Sequence, residues 1–111
     1  MLTHVQVAFR NMESIRPLAD RIRGEVERMD DRFGPIHAGS VVLDMPHRRH
    51  RGEGNRYHVR IVMEVPGRTI AVTRDSEAND GHEALSLAVK DALDEARRRL
   101  EAYAHKGHRR P

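Results

Sequence analysis

Residues 57–73 read YHVRIVMEVPGRTIAVT, two alternating runs joined by a Pro-Gly turn. Tyr57, Val59, Ile61, Met63 and Val65 fall on one side of a period-two pattern, with His58, Arg60 and Glu64 on the other. A half-buried strand produces that alternation, because successive side chains point to opposite sheet faces. Pro66-Gly67 has the order of a type II turn, in which Pro presets φ at the second position and Gly takes positive φ at the third. It leads into a short further strand over Thr69–Thr73. The pair is an antiparallel hairpin.

Upstream, Ala38–Met45 reads as another strand, separated from the hairpin by the polar ten-residue loop PHRRHRGEGN (46–55). Thr3–Phe9 also alternates, with Val5, Val7 and Phe9 on one side and His4 and Gln6 on the other. Between these two strands, Ile15, Leu18, Ile22, Val26, Met29 and Phe33 recur every three to four residues and predict an amphipathic helix. Ser14 is its expected N-cap, Pro17 is tolerated in the first turn, and Gly34-Pro35 ends it. Asp80-Gly81-His82-Glu83 resembles a capping box opening a long second helix, whose buried stripe is Leu85, Val89, Ala92, Ala96, Leu100 and Tyr103.

The order is β-α-β-β-β-α. The first βαβ unit predicts parallel strands in a right-handed crossover, and the later strands pair antiparallel. The expected fold is α+β: a four-stranded mixed sheet, apolar on one face, with both helices packed on that face. One domain over residues 1–106 and a basic tail over 107–111 account for the whole chain, without internal repeats.

Composition narrows the function. The 111 residues are 33% charged yet still 38% hydrophobic, which fits one small core. No apolar run approaches the roughly 18 residues that a membrane span needs, and MLTHVQVAFR lacks the layout of a signal peptide. A cytoplasmic protein without a membrane partner is expected. Zero Cys removes disulfides, thiolate zinc sites and cysteine nucleophiles.

Of the eight His, the closest pairs are His47-x-x-His50 and His105-x-x-His108. Both are surrounded by Arg, which repels a dication, and neither has an adjacent carboxylate. A metal hydrolase is therefore the weaker hypothesis, and no metal or cofactor is expected. Nor is there a Gly-rich phosphate loop, an HExxH motif or a nucleophile elbow, so neither an enzyme nor a small-molecule substrate is expected.

The net charge of +3 hides an uneven distribution. Segments 46–60 and 97–111 together hold 11 basic and 2 acidic residues, leaving 9 basic and 15 acidic elsewhere. Such concentration predicts a surface for a polyanion. With only two Phe and two Tyr, all assigned to apolar faces, base stacking is not the expected mode. Recognition through phosphate and shape remains, and an Arg excess of 18 to 2 over Lys suits bidentate phosphate contacts.

At about 100° per residue, Arg21, Arg28 and Arg32 share one flank of the first helix, while Lys90, Arg97, Arg98 and His105 lie away from the stripe of the second. The competing expectation is that these cations are consumed by helical pairs such as Arg21–Glu25 and Asp94–Arg98.

The segments VQVAFRNMESIRPLADRI, PHRRHRGEGNRYHVRI, VPGRTIAV, HEALSLAVKDALDEARRRL and HKGHRR, in this order and spacing, make the chain resemble the ribosome hibernation-promoting factor and ribosome-associated inhibitor family. That family is also labelled sigma-54 modulation proteins. The resemblance covers nearly the whole chain and departs at Ala84 and Ala102, where acidic and basic residues respectively are common. It implies a fold similar to double-stranded-RNA-binding domains. It also implies a partner, the small ribosomal subunit, bound in its decoding channel so that mRNA and tRNA are excluded in stressed or stationary cells.

The basic positions it carries over are Arg98, His105, Lys106, Arg109 and Arg110, with Arg21 and Arg28. Lys90 and Arg97 join this expected ribosomal-RNA set from helix geometry. Arg48, Arg49 and Arg51 on the loop are further candidates, to RNA or to a ribosomal protein. The chain resembles a short form, without the C-terminal extension with which some members dimerise, and is expected to be monomeric when free. The alternative function is a double-stranded-RNA-binding module acting off the ribosome.

Overall fold

The computed structural model describes residues 5–45, 56–76 and 82–107. Its elements are β1 (Val5–Arg10), α1 (Arg16–Phe33), β2 (Ala38–Asp44), β3 (His58–Val65), β4 (Arg68–Asp75) and α2 (His82–Gly107). The strands form one sheet in the order β1-β2-β3-β4. β1 and β2 are parallel, joined through α1, and the other neighbours are antiparallel. The α+β order and the mixed sheet expected from the alternation are both present.

Register explains the core. Val7 lies opposite Val41, Val41 opposite Ile61, and Ile61 opposite Val72, so one apolar row crosses all four strands. Phe9, Leu43 and Val59 form the next row. Ile22 and Val26 of α1 and Leu85, Val89, Ala92, Ala96 and Leu100 of α2 close over this face, each no more than 1% exposed. Both helices therefore cover one side. The alternate residues, including Arg10, Arg60 and Glu64, remain exposed on the other.

Several boundaries differ from the sequence expectation, for identifiable reasons. Ser14 does not cap α1: Ile15 is the N-cap, and no side-chain cap bond forms. Pro17 in the first turn has no N–H, which leaves one fewer donor to satisfy. β4 extends beyond Thr69–Thr73 at both ends, because pairing with β3 continues from Val65 opposite Arg68 to His58 opposite Asp75. The last pair closes with His58 Nδ1 2.6 Å from Asp75 Oδ1. Its ends are charged, so hydrophobic alternation did not mark them. β1 likewise runs on to Arg10, opposite Asp44.

Thr3, His4, the loop at 46–55, Asp80 and Gly81 of the expected capping box, and the tail beyond Gly107 lie outside the described residues. Gly67 has φ +78°, as the Pro66-Gly67 turn requires.

The exit of α1 depends on a buried carboxylate. Asp30 Oδ1 accepts the Ile36 backbone N–H at 2.8 Å, and the Gly34 N–H reaches the Asp30 carbonyl at 2.8 Å. A Cβ on Gly34 would collide with that carbonyl. Replacing Asp30 with Ala strands the buried Ile36 donor and should cost about 1–3 kcal/mol of unfolding free energy, measured by urea titration. An unchanged midpoint would show that this bond does not hold the turn.

Candidate nucleic-acid interface

α2 carries the candidate surface because its composition changes along its length. Glu83, Asp91 and Asp94 outnumber Lys90 in the first half, and Arg97, Arg98, Arg99, His105 and Lys106 outnumber Glu95 and Glu101 in the second. Acids near the N-terminus and bases near the C-terminus both favour the helix dipole. Twenty-six residues at about 1.5 Å each make a rod about 39 Å long, with its cations toward one end.

Ion pairing sorts these cations into two groups. Arg28 pairs with Glu25 at 3.0 Å, Lys90 with Asp94 at 3.3 Å, and His105 approaches Glu101 at 3.8 Å. Arg98 meets Glu95 at 2.7 Å. The expected pairs Arg21–Glu25 and Asp94–Arg98 are not the ones formed. Glu25 takes the i+3 arginine, and Asp94 is claimed by Lys90 from the preceding turn. Arg21, Arg97 and Lys106 are exposed and make no ion pair with any described residue. Of the expected interface cations, these three can take a phosphate without first surrendering a partner; Arg10, Arg16, Arg56 and Arg60, outside that set, are likewise exposed without an ion pair to a described residue.

The fold also gathers a group that the sequence did not single out. Glu95 lies between Arg98, Arg99 (Nε to Oε2, 2.8 Å) and Arg74 of β4 (3.8 Å). Arg99 additionally donates from Nη1 to the Ala71 carbonyl at 2.8 Å, tying α2 to β4. The i,i+4 spacing of Glu95 and Arg99 was a readable signal, whereas Arg74 arrives from a distant strand. Hydrogen bonds from Arg99, then Arg98, hold the Glu95 carboxyl below the usual glutamate range, against a smaller opposing effect of desolvation.

With its folded pKa below the unfolded value, Glu95 stabilises the domain at neutral pH. That contribution is lost as pH falls through the lowered value. Glu95→Gln should flatten the decline in stability below pH 4.5, the usual glutamate value, as read from urea midpoints at successive pH values. An acid limb identical to that of the parent would show that the cluster is not linked to folding.

The two basic sequence segments attach at opposite ends of the domain. The loop at 46–55 departs from Met45 and returns at Arg56 beside Tyr57, which exchanges hydrogen bonds with Ser76. At the other end of β3, the Tyr103 hydroxyl donates to the Pro66 carbonyl at 2.6 Å. Nine residues of extended chain place these ends about 30 Å apart. The cations near Lys106 and the loop's points of attachment therefore do not share one patch. Arg48, Arg49, Arg51, Arg109 and Arg110 lie outside the described residues.

Aromatic stacking has no platform. Tyr57 is buried, while Phe9, Phe33 and Tyr103 pack partly buried against the core. Among the described residues, no group of three or more His, Asp or Glu could hold a metal ion. No helix among them is long and apolar enough to cross a membrane.

Fold and surface together define a small α+β domain with two helices on one sheet face and unpaired cations on both helices. The chain belongs to the family described as Sigma 54 modulation protein / S30EA ribosomal protein, whose model matches residues 5–108. Among solved structures, the Protein Y N-terminal domain of Thermus thermophilus has a TM-score of 0.66 at 18% identity, covering 88% of this chain and 94% of that one. A ribosomal subunit interface protein from Coxiella burnetii has a TM-score of 0.54 at 16% identity, covering 97% of this chain and 100% of that one. At these identities the likeness is one of fold. No curated protein sequence matches the chain significantly.

Proposed function

We propose that this protein is a ribosome-associated translation inhibitor of hibernating, stressed or stationary cells. It binds ribosomal RNA in the decoding channel of the small subunit and keeps mRNA and tRNA out. Membership of a ribosome-associated family supports the partner, and the name of the Coxiella neighbour, a ribosomal subunit interface protein, is consistent with it.

The observation that carries the mechanism is the set Arg21, Arg97 and Lys106, exposed and without ion-pair partners among the described residues, on a chain with no exposed aromatic. Exposed cations of this kind engage phosphates and shape rather than unstacked bases, and because Arg97 and Lys106 stand nine residues apart, about 180° around α2, the phosphates would lie on more than one side of that helix. Arg28, Lys90, Arg98 and His105 reinforce it once they exchange their present carboxylates for phosphate. Arg109 and Arg110 follow α2 in sequence, and together these groups would engage about six phosphates. Affinity should then fall about a thousandfold between low and physiological salt. The domain acts as a rigid plug, with no chemical step.

Glu95 is the internal competitor of that site, since it neutralises part of the Arg74, Arg98 and Arg99 cluster. Glu95→Gln should tighten binding to small subunits and steepen its salt dependence, measured by sedimentation at several salt concentrations. Weaker binding would mean that Glu95 positions these arginines for RNA rather than competing with it. Inhibition of a purified translation system by the intact chain tests the function itself. Full translation in the presence of saturating protein would refute it.

A further inference from the structure

The first half of α2 presents a surface unlike that of the second. Leu87 is 59% exposed, the only exposed large hydrophobic side chain among the described residues. It borders a cleft of about 430 Å³ between the start of α2 and the end of β4, with Ala84 and Ala88 also lining it. Asp75, Glu83 and Asp91 are the carboxylates among its described lining residues, with Ser76 beside them. Asp75 is engaged by His58, whereas Glu83 and Asp91 have no ion pair with any described residue.

We propose that this cleft docks a basic polypeptide segment of the ribosome. One apolar side chain would rest against Leu87, Ala84 and Ala88, flanked by Lys or Arg facing Glu83 and Asp91. The inference rests on the ribosome reading above. Charge decides the occupant: the carboxylates that attract Lys or Arg repel a phosphate backbone.

Size decides the role. The cleft admits a few side chains of one short segment, far below the roughly 1,000 Å² of a stable independent interface. It is a second foothold about 28 Å along α2 from Lys106, given 19 residues at about 1.5 Å each. Its contribution comes through the effective concentration created once the cations hold RNA.

The absence of Cys makes the test direct, since one introduced thiol is the only labelling site. Leu87→Cys and, as a control among the cations, Ala102→Cys are labelled with a photoreactive benzophenone, bound to intact ribosomes, sedimented and irradiated. The label at 87 should join a ribosomal protein, and the label at 102 ribosomal RNA. Attachment of the 87 label to RNA, to a second copy of the chain or to nothing, while the 102 label reacts, overturns the docking proposal alone. Failure of the unlabelled chain to sediment with ribosomes overturns the ribosome reading and this proposal together. The double reversal Glu83→Lys with Asp91→Lys should weaken sedimentation about tenfold, or about 1.4 kcal/mol. Unchanged binding by a folded double variant also counts against docking.

Discussion

Replacing Arg21, Arg97 and Lys106 together with Glu should reduce affinity for the small ribosomal subunit about a thousandfold while leaving the melting temperature nearly unchanged. The two halves of this expectation have separate origins. Each residue is exposed and lacks an ion-pair partner among the described residues, so folding loses little when the charge reverses. Each charge-assisted phosphate contact is worth about 1.5 kcal/mol or more, and three approach the thousandfold. The slope of log affinity against log salt should also fall by about two to three, the signature of three phosphates no longer engaged. Binding unaffected by the triple reversal would move the interface elsewhere. A large drop in melting temperature would return these residues to a structural role.

Leu100→Ala should have the opposite profile. Leu100 is fully buried on the stripe of α2, between the Glu95 cluster and Tyr103. Its truncation should destabilise the domain by about 2–5 kcal/mol through lost burial and the cavity left behind. That is a large part of the roughly 5–15 kcal/mol stability of an ordinary domain. The melting temperature should fall by about 10 °C or more. In the cold, where the variant is still folded, its affinity for small subunits should match that of the parent. An affinity loss in that folded state would make the precise seating of α2 part of the interface, and an unchanged melting temperature would contradict the packing described for this helix.

The contrast shows which properties were legible in the sequence. The alternation of Tyr57–Val65 and the Pro66-Gly67 turn specify the hairpin locally, since period and turn chemistry act over a few residues. The stripes of α1 and α2 are equally local, and the core that they imply is the one observed. The ends of β4 were not legible, because charged Arg68 and Asp75 belong to the strand through pairing with β3 rather than through burial.

Pairing was harder still. Arg21 and Arg28 both lie within reach of Glu25, and side-chain geometry selects Arg28. No local pattern connects Arg74 to Glu95, which only the packing of α2 on β4 brings together. The two basic segments looked alike as charge counts, yet their attachments stand at opposite ends of β3. The acidic cleft around Leu87 likewise exists only because the end of β4 meets the start of α2.

Sedimentation of the intact chain with isolated small ribosomal subunits across a salt series, with free duplex RNA as competitor, separates ribosome binding from general RNA binding. The chain should travel with small subunits at low salt, dissociate about a thousandfold more readily near physiological salt, and resist displacement by an excess of duplex RNA. Failure to bind small subunits even at low salt would refute the proposed ribosome binding. Complete displacement by the duplex would instead identify an RNA-binding module that acts off the ribosome.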